Sequence, residues 1–261
     1  PLAVRHKPTA IHRLLTRFTA FVHLKPRQRG NTGGVTEAGE LAATVADALA
    51  AAKPKLRGWL HAGMAPLALA AGIVLVSLAP SETARLAAAA FVLPAFVLFA
   101  TSALYHRGNW SPRAELRLKR MDHANIFLLI AGSYTPFAVL AMKGDTRVAL
   151  MAAVWGTALL GIAFRVLWVG APRWSYVPLY IGLGWAMAFV FPQLLSGAGV
   201  AAFVLVAVGG LLYTFGGLVY GLKRPNPSPR WFGFHEIFHT CTIAAFACQY
   251  IAASFVVYRA A

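Results

Sequence analysis

Residues Val200 to Leu222 read VAAFVLVAVGGLLYTFGGLVYGL, an unbroken run without a charged side chain. A helix rises about 1.5 Å per residue, so a run of this length crosses the roughly 30 Å hydrocarbon layer of a bilayer. A lone segment in lipid must satisfy its backbone internally, which selects the α-helix. Working outward, comparable runs recur between short polar breaks: Gly58 to Ala79, Thr83 to Tyr105, Asp122 to Ala141, Val148 to Val169, Trp174 to Leu194 and Phe234 to Tyr258. Composition agrees, since the 261 residues are 59% hydrophobic and only 12% charged, about half the charged fraction of a soluble domain. The sequence therefore predicts an all-α integral membrane protein with seven transmembrane helices over residues 58–261. The loops left between them are too short for a soluble catalytic domain, so any chemistry must sit among the helices.

Residues 1–57 form a different region, polar and basic, with Gly30 to Gly34 in its middle and no acidic residue before Glu37. Such a head can suggest a transit peptide, whereas a secretory signal would need an apolar core that is absent here. The Ala/Leu-rich stretch from Glu37 to Lys53, stopped by Pro54, predicts a short helix on the membrane surface or against the bundle. A net charge of +16 is compatible with nucleic acid, anionic lipid or basic membrane loops, and the hydropathy selects the membrane rather than nucleic acid.

Loop charges predict the orientation. With the head inside, nineteen Lys and Arg fall on that side and four (Arg85, Lys143, Arg147 and Arg259) on the other. The expectation is a multi-pass plasma-membrane protein with a cytoplasmic N-terminus and an external C-terminus. Arg165, near the inner end of the fourth span, is expected to snorkel toward the cytoplasm. The basic stretch from Arg113 to Arg120, after the Trp110-Ser111-Pro112 turn, is expected to meet anionic headgroups. Cys241 and Cys248 would lie about 10 Å apart on one helix, beyond disulfide reach. Pro136 is expected to bend the third helix, with Thr135 covering the backbone polarity it opens.

Ionisable groups at membrane depth are costly unless they pair, bind an ion or line a wet cavity. The second span ends in Ser102-Ala103-Leu104-Tyr105-His106, the third begins Met121-Asp122-His123, and the seventh begins Phe234-His235-Glu236-Ile237-Phe238-His239. All of these fall at the cytoplasmic ends of their spans. His235 and His239, at i and i+4, share a helix face and are spaced to share a metal. With His106 they offer three imidazole donors and leave one tetrahedral position open, the pattern of a catalytic Zn²⁺ site. Zinc brings the pKa of bound water to about 7. Asp122 can orient that water, act as its base or hydrogen-bond a ligand imidazole, and Ser102 can hydrogen-bond the water or a developing oxyanion.

Plainer roles compete. Interfacial histidines that bond headgroups or backbone would explain His-x-x-x-His alone, though not the matching depth of His106 and Asp122. His61 reads as an interface histidine, His123 as facing a neighbour or the interface, and Glu236 as a contact to the metal's surroundings or to a basic loop. No phosphate loop, nucleotide fingerprint or serine-hydrolase elbow is present, so no cofactor besides the metal is expected.

The three stretches Ser102 to His106, Met121 to Pro136 and His235 to His239 resemble the hemolysin III family, the bacterial relatives of the progestin and adipoQ receptors, over about Lys53 to the C-terminus. That resemblance implies seven helices with the N-terminus inside. It also implies zinc ligands at His106, His235 and His239 on the cytoplasmic side, with Asp122 near the metal-bound water and Ser102 beside it. The wider group includes alkaline ceramidases, which implies a lipid amide hydrolase. Receptor signalling and membrane lysis are also attached to family names. Two departures stand out: residues 1–57 are unlike the usual short bacterial head, and Gln249 stands where some relatives carry another polar residue, often His. The expected function is hydrolysis of a lipid-like amide or ester, with a membrane lipid as substrate or ligand. The rivals are a lipid-sensing receptor with structural zinc and a membrane-lytic protein.

Overall fold

A computed structural model describes residues 54–260, so the helix expected over Glu37 to Lys53 and most of the basic head lie outside the described residues. The described chain is helical, and its only β-pairing is an isolated bridge between Ser228 and Phe232. Its helices are α1 Trp59–Ser77, α2 Glu82–Arg107, α3 Pro112–Ala141, α4 Gly144–Leu167, α5 Arg173–Gly184, α6 Phe191–Ala198, α7 Val200–Leu222 and α8 Phe234–Tyr258. Seven segments are long and apolar enough to cross a membrane, with α5, a 3₁₀ turn and α6 together making the fifth over Arg173–Ala198. Large apolar side chains face outward, including Leu160 at 74% exposure and Leu167 at 82%. Exposed apolar surface on this scale suits a lipid surrounding and would be a liability in water.

Local chemistry sets the boundaries. Gly58 precedes α1 with φ 81, a left-handed conformation that favours glycine. A Cβ there would also come within 2.8 Å of His106 Cβ, so the start of α1 approaches the end of α2 closely. Ser111 caps α3, its hydroxyl oxygen accepting the Ala114 N–H, and Pro112 occupies the first turn as helix starts prefer. The expected turn at Trp110 to Pro112 is thus a helix start, and the basic residues from Arg113 to Arg120 extend the third span by about ten residues. Charge hides these nearly three turns of helix from hydropathy. At α8 the Glu236 carboxylate reaches back to accept the Gly233 N–H at 2.8 Å, which answers one of the donors a helix start leaves idle.

Two expectations about backbone are corrected. The helix runs through Pro136 to Ala141, but the Thr135 hydroxyl donates to the Ala131 carbonyl and accepts the Trp155 indole N–H. The carbonyl that Pro136 leaves without a partner is that of Gly132, one residue on. The fifth span, expected as one helix, is interrupted by a 3₁₀ segment over Trp185–Val190. Tyr134 on α3 explains how this break is tolerated. Its hydroxyl donates toward the Leu183 and Gly184 carbonyls, at 2.9 and 2.6 Å, and accepts the Met187 N–H at 2.9 Å. Broken backbone at membrane depth persists only where neighbouring groups take up the freed donors and acceptors.

The helices form a circuit. α1 packs on α2, α2 on α3, α3 on α5 and α6, these on α7, and α7 on α8, which returns to α1 and also touches α2 and α3. α4 lies outside this ring against α3. Small residues permit the closest approaches: a Cβ on Gly132 would come within 2.6 Å of the Ala90 carbonyl oxygen, and one on Gly161 would strike the Phe127 ring. Without a hydrophobic force between helices in lipid, such contacts and interhelical hydrogen bonds hold the bundle. Cys241 and Cys248 are free thiols.

Candidate metal centre

The alternation of spans brings the start of α1, the end of α2, the inner part of α3 and the start of α8 to one end of the bundle. His106, His235 and His239 meet there, with one ligand atom from each lying within 4.8 Å of the others. His235 Nε2 and His106 Nε2 approach to 3.2 Å. Two nitrogens bound at about 2.0–2.1 Å to one tetrahedral centre stand about 3.3 Å apart, so this pair already has the separation a shared ion requires. His239 is buried at 2% exposure, and its Nδ1 has no hydrogen-bond partner. The donor set and spacing fit a metal ion, and the widest pair would close up slightly around it.

Asp122 and Ser102 lie beside the three histidines. Asp122 Oδ2 is 3.9 Å from His106 Nε2 and 3.7 Å from His123 Nδ1, and the side chain is 13% exposed. Ser102, one turn before His106, is buried at 1% exposure. Its hydroxyl lies near the Asp122 carboxylate without meeting hydrogen-bond geometry. All five residues singled out from the sequence are therefore gathered at one end.

The neighbours of the site show what spacing alone could not. Glu236, fully buried, forms an ion pair with Arg57, the residue that leads into α1. This clamp holds the first turn of α8, which carries His235 and precedes His239 by one turn. His123 faces neighbours as expected: Nδ1 contacts the Lys119 carbonyl at 2.9 Å and Nε2 the Tyr220 hydroxyl at 3.4 Å. The Tyr180 hydroxyl donates to the His123 carbonyl. His61 departs from its expected interfacial role, because it is 2% exposed and stacks on His239 with ring centres 3.7 Å apart. Arg165 also departs from expectation. Rather than snorkelling, it is 1% exposed, lies over the Tyr176 ring and donates to the Trp168 carbonyl. The aromatic face and carbonyl offer the guanidinium a local partner that hydropathy cannot reveal.

A narrow cavity of about 120 Å³ opens from the histidine cluster. On α8 its lining runs from His235 to Gln249, about 21 Å of helix at 1.5 Å per residue. Beyond the polar end the walls are mainly apolar, and no lysine or arginine among the described residues lines them. The broken fifth span contributes Gly184, Trp185 and Met187. Gln249 faces the cavity and its amide donates to the Val206 carbonyl at 3.4 Å. A polar cluster at the end of a long apolar slot can receive an amphiphile with its polar group against the histidines.

Comparison with known proteins agrees with the three-motif resemblance. The family model described as Haemolysin-III related matches residues 49–250. The chain is 32% identical over 145 residues to the "Hemolysin-3 homolog" of Bacillus subtilis (strain 168), covering 55% of this chain and 68% of that relative. To "Hemolysin-3" of Bacillus cereus it is 31% identical over 163 residues, covering 61% of this chain and 74% of the relative. With seven apolar spans and a family match across most of its length, the chain belongs to the hemolysin III-related family of multi-pass membrane proteins.

Proposed function

We propose that the chain is a zinc-dependent hydrolase of a lipid-like amide or ester, with its metal at the cytoplasmic end of the bundle. The observation that carries this proposal is the convergence of His106, His235 and His239, the last two lining the polar end of a mainly apolar cavity. Imidazole donors suit Zn²⁺. When bound, the ion supplies a Lewis acid and an acidified water.

The chain's own residues divide the remaining work. The three histidines would hold the ion, which would supply an activated water there. Asp122 accepts a proton as general base and orients the attacking group. Ser102 donates its otherwise idle hydroxyl to the oxygen on which negative charge develops. The apolar walls hold the lipid chain, drawn from the bilayer, and align its scissile bond with the cluster. Glu236 and Arg57 keep the first turn of α8 in place and touch neither substrate nor metal.

The nineteen-to-four charge asymmetry supports a plasma-membrane protein with the N-terminus inside and the C-terminus outside. Basic residues at the start of α3 suit anionic headgroups at that surface. A cysteine introduced at Pro227, in a background lacking Cys241 and Cys248, is then shielded from an impermeant label in intact cells, and one at Gly197 reacts; the opposite pattern would refute this orientation.

The test of catalysis is Asp122→Asn. The variant is expected to keep its fold and most of its zinc and to lose fatty-acid release from a ceramide-like amide by at least about a hundredfold. Wild-type turnover no greater than that of metal-free protein across a panel of lipid amides and esters, with lipid binding intact in Asp122→Asn, would instead favour a receptor with structural zinc. The relatives' printed name carries a further reading, membrane lysis. Release of haemoglobin from erythrocytes that survives removal of His235 and His239 would favour it.

A further inference from the structure

His61 is buried beside the three-histidine cluster without being part of it. Its ring lies flat on His239, with centres 3.7 Å apart and planes at 15°, and it meets Phe99 edge-on at 5.0 Å. Parallel rings direct their nitrogen lone pairs side by side rather than toward one point, so His61 cannot share the ion that His239 would hold. The three ligand atoms also converge without it. Yet His61 is only 2% exposed, and among the described residues neither Nδ1 nor Nε2 has a hydrogen-bond partner. Any imidazole carries at least one N–H donor, and the neutral ring carries an acceptor as well. Buried groups of this kind are normally answered.

The surroundings define what can answer them. His61 lines the cavity, as does Ser102, whose hydroxyl is also without a hydrogen bond. Ser102 follows Phe99 by three residues on α2, which places the hydroxyl on the helix face that meets the His61 ring. Among the described residues no lysine or arginine lines the cavity, so they offer no counter-charge that would favour a carboxylate or phosphate. A neutral acceptor meets the requirement.

We propose that His61 is a recognition residue for the carbonyl oxygen of the cavity's ligand, its ring N–H donating to that oxygen beside Ser102. This rests on the reading that the cavity receives a lipid amide or ester, and it assigns that ligand's carbonyl a partner outside the metal cluster. A site built around such a donor discriminates against an analogue without the oxygen, because the donor is then left buried and idle.

The experiment uses the full chain in lipid nanodiscs, stripped of metal by a chelator. It is titrated with a long-chain methyl ester and with the matching methyl ether, which lacks only the carbonyl. Wild type is expected to bind the ester about tenfold more tightly, the scale of one hydrogen bond. His61→Phe keeps a flat ring on His239 and deletes both nitrogens, so its preference should fall to within about twofold. His61→Gln restores a donor and should recover several-fold preference. Equal binding of ester and ether by wild type, or an undiminished preference in His61→Phe, would overturn the proposal and leave the recess to water. If His61→Phe does not fold, the ¹⁵N resonances of the His61 ring in wild type decide: the ester should shift them and the ether should not, and no difference between the two refutes the assignment. Neither metal nor turnover enters the readout. A chain inactive on every lipid amide therefore leaves this result standing, and a lost preference leaves the Asp122→Asn test untouched.

Discussion

In the membrane segments of α2 and α3, 61% of residues are buried within the molecule, and in α8 50%, whereas the fifth span buries only 17% and α7 28%. Both groups contribute to the walls of one cavity. Every side chain proposed to bind metal or move a proton stands on the more buried wall, where Gly132 brings α3 against α2 and the Arg57–Glu236 pair clamps α8. The less buried wall, whose α7 nevertheless packs extensively on α8, contributes lining residues and a 3₁₀ break held by one tyrosine. Metal binding and proton transfer require atoms placed to within about half an ångström, and rigid, packed elements provide that. A chain-binding surface needs only shape and apolarity, so it tolerates broken helix.

The comparison is broken most easily at the clamp. Arg57→Ala leaves Glu236 buried without its cation, and removal of one partner of a buried pair costs about 3–5 kcal/mol. Unfolding in mixed detergent and SDS should show that loss, together with reduced zinc binding because His235 flanks Glu236 on that turn and His239 stands one turn beyond. Wild-type stability in this variant would mean that the more buried wall does not depend on the clamp.

Tyr134→Phe addresses the less buried wall. Losing the hydroxyl leaves the backbone groups around the 3₁₀ segment unanswered, at a cost of about 1–3 kcal/mol. Zinc content should be unaffected, since the break lies away from the histidines, while affinity for a long-chain lipid should fall. A loss of zinc equal to that in Arg57→Ala would show that the two walls are not separable in this way.

The smallest effect is expected on the surface facing lipid. Leu160→Ala, at a position 74% exposed, should change stability by no more than about 0.5 kcal/mol in the same unfolding assay. A larger loss would place Leu160 in an interface and sharpen the account of where α4 is covered.

These contrasts also explain what was legible in the sequence. Seven long, mainly apolar runs declared the spans because lipid imposes a length and a polarity on each helix. His106, Asp122, His235 and His239 could be placed together because the alternation of spans fixes depth, and i, i+4 spacing fixes the shared face of the last two. The break in the fifth span was hidden, since its backbone groups are answered by Tyr134, about fifty positions earlier in the chain. Arg113 to Arg120 was read as loop because charge depresses hydropathy, although Ser111 and Pro112 are good helix-start residues and could have revealed the extension. His61 was read as interfacial because only the packing of α1 on α8 brings it onto His239. Arg165 was read as snorkelling because its partners, the Tyr176 ring and the Trp168 carbonyl, lie in a neighbouring helix and a turn.

The central claim is that three histidines from two helices hold one zinc ion, and elemental analysis of the purified full chain tests it most directly. The account predicts close to one zinc per chain in wild type, almost none in the His235→Ala/His239→Ala double variant, and nearly wild-type content in His61→Ala. Equal zinc in wild type and the double variant would contradict it.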